Sequence, residues 1–369
     1  MKAADLAKLL AFPLLLAAPV AASALTLQVR PECAGRQHCF SSIAAALDRA
    51  KTDGSTRWIT IKVAPGSYRE KITIARSKIR LIGSGADDTK VRFDAVAQTS
   101  KAYHRNGWGT PGSATLTINA SDVVLAGMTV ENDYDYLAND RLADGDAAKI
   151  GNPQAVALLL DVDSDRVSVR DSSLIGFQDT LFANGKRVHI TDSLIAGNVD
   201  FIFGNGMVLI ERSKIRSRVR AAAVPAGELQ SFVAAPSTLL DQRIGIIFYQ
   251  SRLTRETGVP NGVVALARPW HPTTRFADGR YANPRAVGQV SFIDCFMDAH
   301  IAPDHWASMN GTARDGTMKD VFRPQESRFF ETGSYGPGAA RRDIGMPRQG
   351  LGDITAIKRV FFEDWPGER

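Results

Sequence analysis

The sequence contains few cysteines, with three among 369 residues. It has no CxxC, HExxH or EF-hand pattern, so it indicates neither a metal site nor a cofactor. Cys33 and Cys39 lie close together near the start, and a disulfide between them is expected if the protein is exported. Cys295 lies in the alternating run VSFIDCFMD, which predicts a buried free thiol.

Long apolar runs are absent after the first two dozen residues, which argues against a membrane span. The segment 1–24 has a positive start with Lys2 and Lys8, the apolar stretch LLAFPLLLAAPVAA and the small residues Ala22-Ser23-Ala24. This pattern predicts a cleaved signal peptide over 1–24, and an uncleaved anchor helix is the alternative. We therefore expect a secreted protein, periplasmic or extracellular, with one domain over 25–369.

The sequence also lacks a strong charge imbalance, and its net charge is +6. A mildly basic exported protein suits an anionic polymer as partner, although a solvated basic surface explains the charge equally well. No basic run is interleaved with aromatic residues, which argues against nucleic acid as a partner. No GxSxG motif is present, and of the six histidines only His271 lies near a motif, so a serine hydrolase is disfavoured.

A short strand-like segment recurs along the chain. Its copies begin at Ile79, Val123, Val167, Val188, Val208, Ile246 and Val290. The intervals are close to one or two times ~21 residues, which is typical of a solenoid. The segments are rich in β-branched residues, and a β-propeller would need repeats of about 40 residues. The pattern predicts an all-β protein, a right-handed parallel β-helix.

One clear helix and three insertions interrupt this pattern. The run FSSIAAALDRA predicts a helix capped by Ser41 or Ser42, which would cover the open first coil. Segments after Asn132, Arg218 and Trp270 break the repeat and are predicted to be long loops. Insertions in solenoids gather on one side, so these loops are expected to form the binding side.

Two similar segments, QDTLFANG and VDFIFGNG, each begin with an acidic residue before an apolar run. Alignment of the repeats places Ala155, Asp179 and Asp200 in one column, and Gln154, Gln178 and Val199 in the column beside it. Residues in such a column are about 4.8 Å apart, so the two carboxylates should face each other on adjacent coils. Neighbouring residues of a strand point to opposite faces, so the backbone should bend at Gln178 if both side chains serve one site.

A structural ladder of aspartates, as expected for Asp171 and Asp192, is the alternative to a catalytic pair. Two ionised carboxylates at this distance repel by ~3 kcal/mol at an effective dielectric of about 20, which makes a poor stabilising ladder. As an acid/base pair they are useful, because one is protonated and the other ionised. Arg268 is the candidate cation for the ionised member, with a surface arginine as the alternative interpretation. Trp270 is either a sugar-stacking residue or part of the core.

Several ordered motifs resemble the pectinesterase (pectin methylesterase) family. They are PGSYRE at Pro65, QAVAL at Gln154, GFQDTL at Gly176, GNVDFIFG at Gly197 and LARPW at Leu266. The similarity covers nearly all of residues 27–340. The segments RPWHPTTRFADGRYANP and ESRFFETGSYGPGA resemble the bacterial branch that acts on plant cell walls.

The resemblance implies hydrolysis of the methyl esters of galacturonate units in pectin, without a cofactor or metal, by a monomer. It makes Asp200 the nucleophile, Asp179 the general acid/base and Arg268 the residue that orients Asp200. It also assigns an oxyanion hole and a set of sugar-binding residues. The oxyanion hole would be formed by Gln154 and Gln178, and the sugar subsites by Phe203, Trp270, Phe182, Thr273, Met309 and Thr110. Glu70 of PGSYRE is expected to be structural.

Two other functions fit parts of the pattern. A β-helix glycoside hydrolase of the polygalacturonase type also uses carboxyls ~5 Å apart, but it needs no oxyanion hole. A non-catalytic solenoid that binds polysaccharide is the alternative from another class. Release of methanol, release of reducing ends, or binding alone would distinguish the three.

Overall fold

The structure, a computed structural model, describes residues 25–33, 35–225, 227–339 and 353–365. The predicted signal peptide over 1–24 lies outside the described residues. The chain winds through three parallel sheets, so that each coil contributes a strand to each sheet in turn. This is the predicted right-handed parallel β-helix.

The first sheet has eleven strands, the second eight and the third seven. The strands of the first sheet are Leu25–Val29, Cys39–Phe40, Ile59–Val63, Ile79–Ile82, Ser121–Ala126, Asp165–Arg170, Arg187–Thr191, Met207–Glu211, Ile246–Tyr249, Gln289–Ile293 and Arg328–Thr332. Those of the second sheet are Gly66–Arg69, Thr89–Phe93, Thr129–Asn132, Ser173–Ile175, Leu194–Gly197, Lys214–Ser217, Arg252–Arg255 and Phe296–Met297. Those of the third sheet are Ile72–Ile74, Leu116–Ile118, Leu158–Leu160, Leu181–Ala183, Val199–Gly204, Ser231–Pro236 and Val264–Ala267.

The register of the first sheet follows the repeat in the sequence. The seven predicted segment starts lie directly beside one another, from Ile79 paired with Val123 to Ile246 paired with Val290. Their side chains point into the coil, where buried apolar residues of all three sheets form one continuous core. The predicted repeat and its alignment are therefore confirmed.

A ladder of small polar residues follows the first sheet at the turn into the second. Asp171 and Asp192 stack there in left-handed conformations, each with φ of 49°. The serines after them carry the hydrogen bonds, since the buried amide N–H groups of Ser172 and Ser193 donate to the hydroxyl of the next coil's serine at 3.2 Å. A structural ladder between coils is here a stack of serines, in which each hydroxyl accepts a hydrogen bond from the backbone of the preceding coil.

The predicted N-terminal helix is Ile43–Lys51, and the side chain of Ser42 caps it by accepting a hydrogen bond from the N–H of Ala45 at 3.2 Å. Its buried face packs over the first strands, as expected for a helix that covers the open end of the solenoid. The disulfide between Cys33 and Cys39 is present, and Cys295 is a buried free thiol. Both cysteine predictions are confirmed.

A second helix, Ile354–Phe361, was not predicted from the sequence. Asp353 caps it, and its apolar face packs on the outside of the first sheet together with Phe362 and Trp365. Arg187 of the first sheet binds Asp364, which fixes this C-terminal segment across the middle coils. None of the helices in the described ranges is long and apolar enough to cross a membrane.

The first and third predicted loops contain short regular elements, whereas the second, predicted to include SFVAAP, is shorter because those residues form the strand Ser231–Pro236 of the third sheet. The first holds the helix Tyr136–Arg141, and the third holds the hairpin of strands Thr273–Phe276 and Gly279–Ala282. Two further insertions did not stand out in the sequence. One spans 94–115 with the 3₁₀ turns Ala97–Thr99 and Lys101–Tyr103 and the helical turn Gly109–Gly112; the other spans 298–327 with the hairpin Met309–Gly311 and Asp320–Phe322 and the 3₁₀ turn Pro324–Glu326.

Candidate active site

The two repeated aspartates lie at equivalent positions on consecutive coils of the third sheet. The N–H of Asp179 donates to the carbonyl of Val199 at 3.0 Å, and the N–H of Ala155 donates to the carbonyl of Gln178 at 3.2 Å. In a parallel pair, such bonds place Ala155 beside Asp179 and Asp179 beside Asp200. The column predicted from the repeats is confirmed.

The backbone bends at the aspartates themselves. Asp179 has φ of 67° and Asp200 has φ of 51°, whereas Gln178 is not in the left-handed region. The bend was expected at Gln178 and lies one residue later. Aspartate tolerates the left-handed region better than glutamine, because its short carboxylate can bond to the local backbone. The bend allows neighbouring Gln178 and Asp179 side chains to serve one site.

Arg268 holds the carboxylate of Asp200 through both oxygens. Its Nε donates to Oδ1 at 2.8 Å and its Nη2 to Oδ2 at 2.6 Å. The guanidinium also stacks over the ring of Phe232, with its central carbon 3.8 Å from the ring centroid. A fork-like bidentate pair of this kind fixes both the charge and the orientation of a carboxylate.

Asp179 is in a different environment although it lies one coil away. Its side chain is 7% exposed, and its carboxyl makes no hydrogen bond with any other described residue. Burial raises the pKa of Asp179 well above its usual value, and the negative charge of Asp200 raises it further, while Arg268 opposes both. The pair therefore consists of one carboxyl group with a raised pKa and one carboxyl group that is ion-paired with Arg268.

Gln154 and Gln178 line a cleft beside this pair, together with Tyr136, Asp140 and Arg220. Among the described residues, neither glutamine side-chain amide has a hydrogen-bonded partner, and Oε1 of Gln154 is buried without one. Their N–H donors are thus uncommitted. The geometry leaves two adjacent amides free to bind a ligand oxygen next to Asp179.

Three aromatic side chains form a cluster on the outside of the third sheet. Phe182 and Phe203 stack with centroids 4.2 Å apart, and Trp270 meets Phe203 edge-on at 5.5 Å. The two phenylalanines are each 3% exposed, whereas Trp270 is half-buried. Trp270 is thus the member of the cluster that presents surface to a ligand.

The other three predicted sugar-binding residues lie in the insertions. Thr273 begins one hairpin, and its hydroxyl shares a 2.7 Å hydrogen bond with Thr312 of the other hairpin. Met309 begins that second hairpin and is half-buried. Thr110 lies in the helical turn before Ser113, whose hydroxyl binds the N–H of Val156 beside the aromatic cluster at 3.0 Å.

The sequence analysis missed a group of residues that joins the loop after Asn132 to the loop after Arg218. Asp140 accepts two hydrogen bonds from Arg220, at 2.9 and 2.7 Å, and two more from the N–H groups of Ala221 and Ala222. Tyr136 stacks on Phe177, which directly precedes Gln178, at 5.3 Å. The segment DYLAND indicates this helix in the sequence, because Asp135 can cap it and Tyr136 and Asp140 have i,i+4 spacing.

The chain matches the family model "Pectinesterase" over residues 33–323. It is 40% identical over 330 residues to Pectinesterase A of Dickeya chrysanthemi, covering 88% of this chain and 87% of that protein. The pectin methylesterase PemA from Erwinia chrysanthemi superposes with a TM-score of 0.82 and 38% identity, covering 93% of this chain and 98% of that one.

Two further solved structures are similar. Pectin methylesterase from Yersinia enterocolitica has a TM-score of 0.79 and 41% identity, covering 89% of this chain and 100% of that one. A pectin methylesterase in complex with hexasaccharide VII has a TM-score of 0.83 and 37% identity, covering 93% and 98%. The fold, the ordered motifs and these matches establish that the chain belongs to the pectinesterase family of carboxylic ester hydrolases.

Proposed function

We propose that the protein hydrolyses the methyl esters of galacturonate units in pectin, releasing methanol and leaving carboxylates on the polymer. The observation that carries the proposal is the contrast between the two aspartates. Asp200 is paired with Arg268 through both oxygens, and Asp179 is buried with no hydrogen-bonded partner for its carboxyl among the described residues. Family membership and the hexasaccharide complex of a similar enzyme support the choice of substrate.

In the first half of the reaction, an oxygen of Asp200 attacks the C6 carbonyl carbon of a methylated unit. The amides of Gln154 and Gln178 donate hydrogen bonds to the oxygen that becomes negative, a contribution of about 3–4 kcal/mol for a well-placed donor. Asp179 gives its proton to the methoxy oxygen as the C–O bond breaks, and methanol leaves. An anhydride between Asp200 and the galacturonate remains.

In the second half, water completes the reaction. Asp179, now ionised, takes a proton from a water molecule, whose oxygen attacks the galacturonate carbonyl of the anhydride. The bond to Asp200 breaks, and Asp200 leaves as a carboxylate held by Arg268. Asp179 holds its proton again, so each cycle consumes one ester and one water and yields one methanol and one acid.

The arrangement favours an esterase over a glycoside hydrolase. A retaining glycosidase needs both carboxyls close to the sugar ring, but it needs no amide pair for an oxyanion. The uncommitted amides of Gln154 and Gln178 are suited to the oxyanion that develops in acyl transfer. The sugars would contact Trp270, Thr273, Met309 and Thr110. Phe182 and Phe203 lie behind Trp270 and would complete this sugar-binding surface.

Incubation with highly methylated pectin tests the proposal. We expect methanol without new reducing ends. Reducing ends would instead identify a glycoside hydrolase, and binding without either product would identify a polysaccharide-binding solenoid. Parallel quantification of methanol, reducing ends and bound pectin separates the three.

We further propose that the protein is secreted as a monomer after cleavage at Ala24. The disulfide between Cys33 and Cys39 supports an oxidising compartment. Mass spectrometry of the exported protein should give an N-terminus at Leu25, and light scattering should give the mass of one chain. A retained segment 1–24 or a dimer would contradict this proposal.

A further inference from the structure

A groove crosses the outer face of the first sheet, on a different sheet from the two aspartates. Its floor runs over adjacent strands, from Arg80 to Val124 to Ser168. Trp58 lies at one end, and Trp365 of the C-terminal segment lies at the other. Three strands at a spacing of about 4.8 Å make this floor wide enough for more than one sugar unit.

The acidic residues of this groove are paired with arginines. Asp122 accepts from Nε of Arg166 at 2.7 Å and from Nη2 at 2.9 Å. Asp364 is bound by Arg187 from the neighbouring coil. The same two arginines also bind Asp165, so this cluster holds one carboxylate more than guanidiniums.

Three further cations of the groove have no direct ion pair in the described part of the chain. Within the described ranges, Lys78, Arg80 and Arg170 form no ion pair with an acidic residue. Lys78 and Arg80 are two residues apart next to one strand edge, and Arg170 lies two coils further along. Among the described residues, these three cations outnumber the one carboxylate that the neighbouring ion-pair cluster holds in excess.

One of these cations is held in place by an aromatic ring. The guanidinium carbon of Arg80 lies 4.0 Å from the ring centroid of Trp58. Such stacking limits the rotamers of the arginine while its N–H groups stay free for hydrogen bonds. At the other end, Trp365 is fixed against Phe361 and Phe362. The groove is a pre-organised surface.

We propose that this groove binds a de-esterified stretch of galacturonan, a polyanionic sugar chain. Carboxylates spaced along such a chain match cations distributed over three coils, and its hydroxyl groups suit Ser168 and the arginine N–H donors. The choice of ligand rests on the proposed function, because de-esterified galacturonan is the product of that reaction. A methylated chain carries no charge and has no reason to bind there.

The binding of the product to the groove keeps the enzyme on polymer that it has already processed. The active-site side and the groove lie on different sheets, so one chain segment can occupy the groove while another enters the site. Activity on a short methylated oligomer, which is too small to use both, should not depend on the groove. This separates the groove from the catalytic machinery.

The test compares two double variants with the same change of charge. Lys78→Glu with Arg170→Glu reverses two groove cations, and Lys214→Glu with Arg216→Glu reverses two cations of the second sheet that have no ion pair in the described structure. The binding of a fluorescently labelled, fully de-esterified oligogalacturonate is measured at low and high salt. Melting temperatures check folding, and methanol release from a short methylated oligomer checks the active site.

We expect the groove variant to lose about tenfold in affinity for the oligogalacturonate at low salt, and the control to change by less than about twofold. A neutral pair, Lys78→Gln with Arg170→Gln, should lose about half as much on a logarithmic scale. Equal losses in groove and control variants, or no loss in the groove variant, would overturn the proposal. Methanol release reports on the proposed function separately, since it should be unchanged in all variants.

Discussion

Asp179 and Asp200 share one left-handed backbone conformation on consecutive coils, but within the described ranges only Asp200 is paired with a cation. The same local geometry thus presents two carboxyl groups in different surroundings. Burial raises the pKa of Asp179 well above its usual value, whereas the guanidinium of Arg268 binds both carboxylate oxygens of Asp200.

Asp200→Asn should abolish methanol release, because an amide cannot attack the ester carbonyl. Asparagine fits the left-handed conformation at φ of 51°, so the variant should fold. Asp171→Asn is a matched control, since Asp171 has the same conformation at an exposed turn of the first sheet. Methanol release above a few per cent in Asp200→Asn, measured at equal protein concentration, would contradict the assignment of the nucleophile.

Asp179→Asn should change both activity and the pH dependence of stability. The folded state holds the proton of Asp179 more tightly than the unfolded chain, whose pKa is near 3.8. Its stabilising contribution is therefore complete below pH 3.8 and is lost as the pH rises through the raised pKa of the folded state. The variant stays neutral, so its melting temperature should gain on the wild type as the pH increases over that range.

The pH dependence of methanol release should also be determined by Asp179. The acid step needs protonated Asp179, so the wild-type kcat/KM for methanol release should fall as the pH rises above the raised pKa. Asp179→Asn cannot donate this proton and should lose at least about 100-fold in kcat at every pH. Wild-type activity could instead decrease at high pH while the difference in melting temperature between wild type and Asp179→Asn stays constant. That result would show that a group other than Asp179 controls the activity.

Gln178→Ala should lower kcat by ~100-fold or more and leave KM little changed. A hydrogen bond to an oxyanion strengthens only as negative charge develops, so its loss affects the transition state. Gln154→Ala should lose less, because Gln154 lies one coil further from Asp200. The melting temperature provides the check: a variant with normal kcat and a lower melting temperature would identify a structural ladder.

Glu70→Gln should lower stability and leave catalysis intact. The two carboxylate oxygens of Glu70 accept the first N–H groups of the N-terminal helix, from Ile43 at 3.0 Å and Ala44 at 2.8 Å. Loss of the charge at a helix N-terminus should reduce the free energy of unfolding by about 1 kcal/mol. Urea denaturation and methanol release measure the two effects, and a large decrease in kcat would reveal a catalytic role.

The regular part of the fold could be predicted residue by residue because the solenoid repeats one simple constraint. Alternation of buried and exposed residues fixes each strand's register, so Val167, Val188 and Val208 in the sequence became direct neighbours in the sheet. The aspartate column followed from the same alignment. The bend lay one residue away from its expected position, since alternation alone does not say which residue adopts the left-handed conformation.

The contacts between the insertions could not be predicted in this way. Asp140 and Arg220 are 80 residues apart, and their pairing depends on how two insertions meet in space. No repeat or period connects them. The C-terminal helix had a local signal in Asp353 and the spacing of Ile354, Ile357 and Phe361, but its position on the first sheet depends on contacts with distant coils.

The C-terminal segment also has a consequence for folding kinetics. Arg187 contacts the carbonyl of Phe361, 174 residues further along the chain, at 3.4 Å. Most other coils pair with the preceding one and can add in order as the chain emerges, whereas this contact closes a very long loop. The middle coils therefore reach their final stability only after the last residues have arrived, so an incomplete chain remains open to proteolysis at its centre.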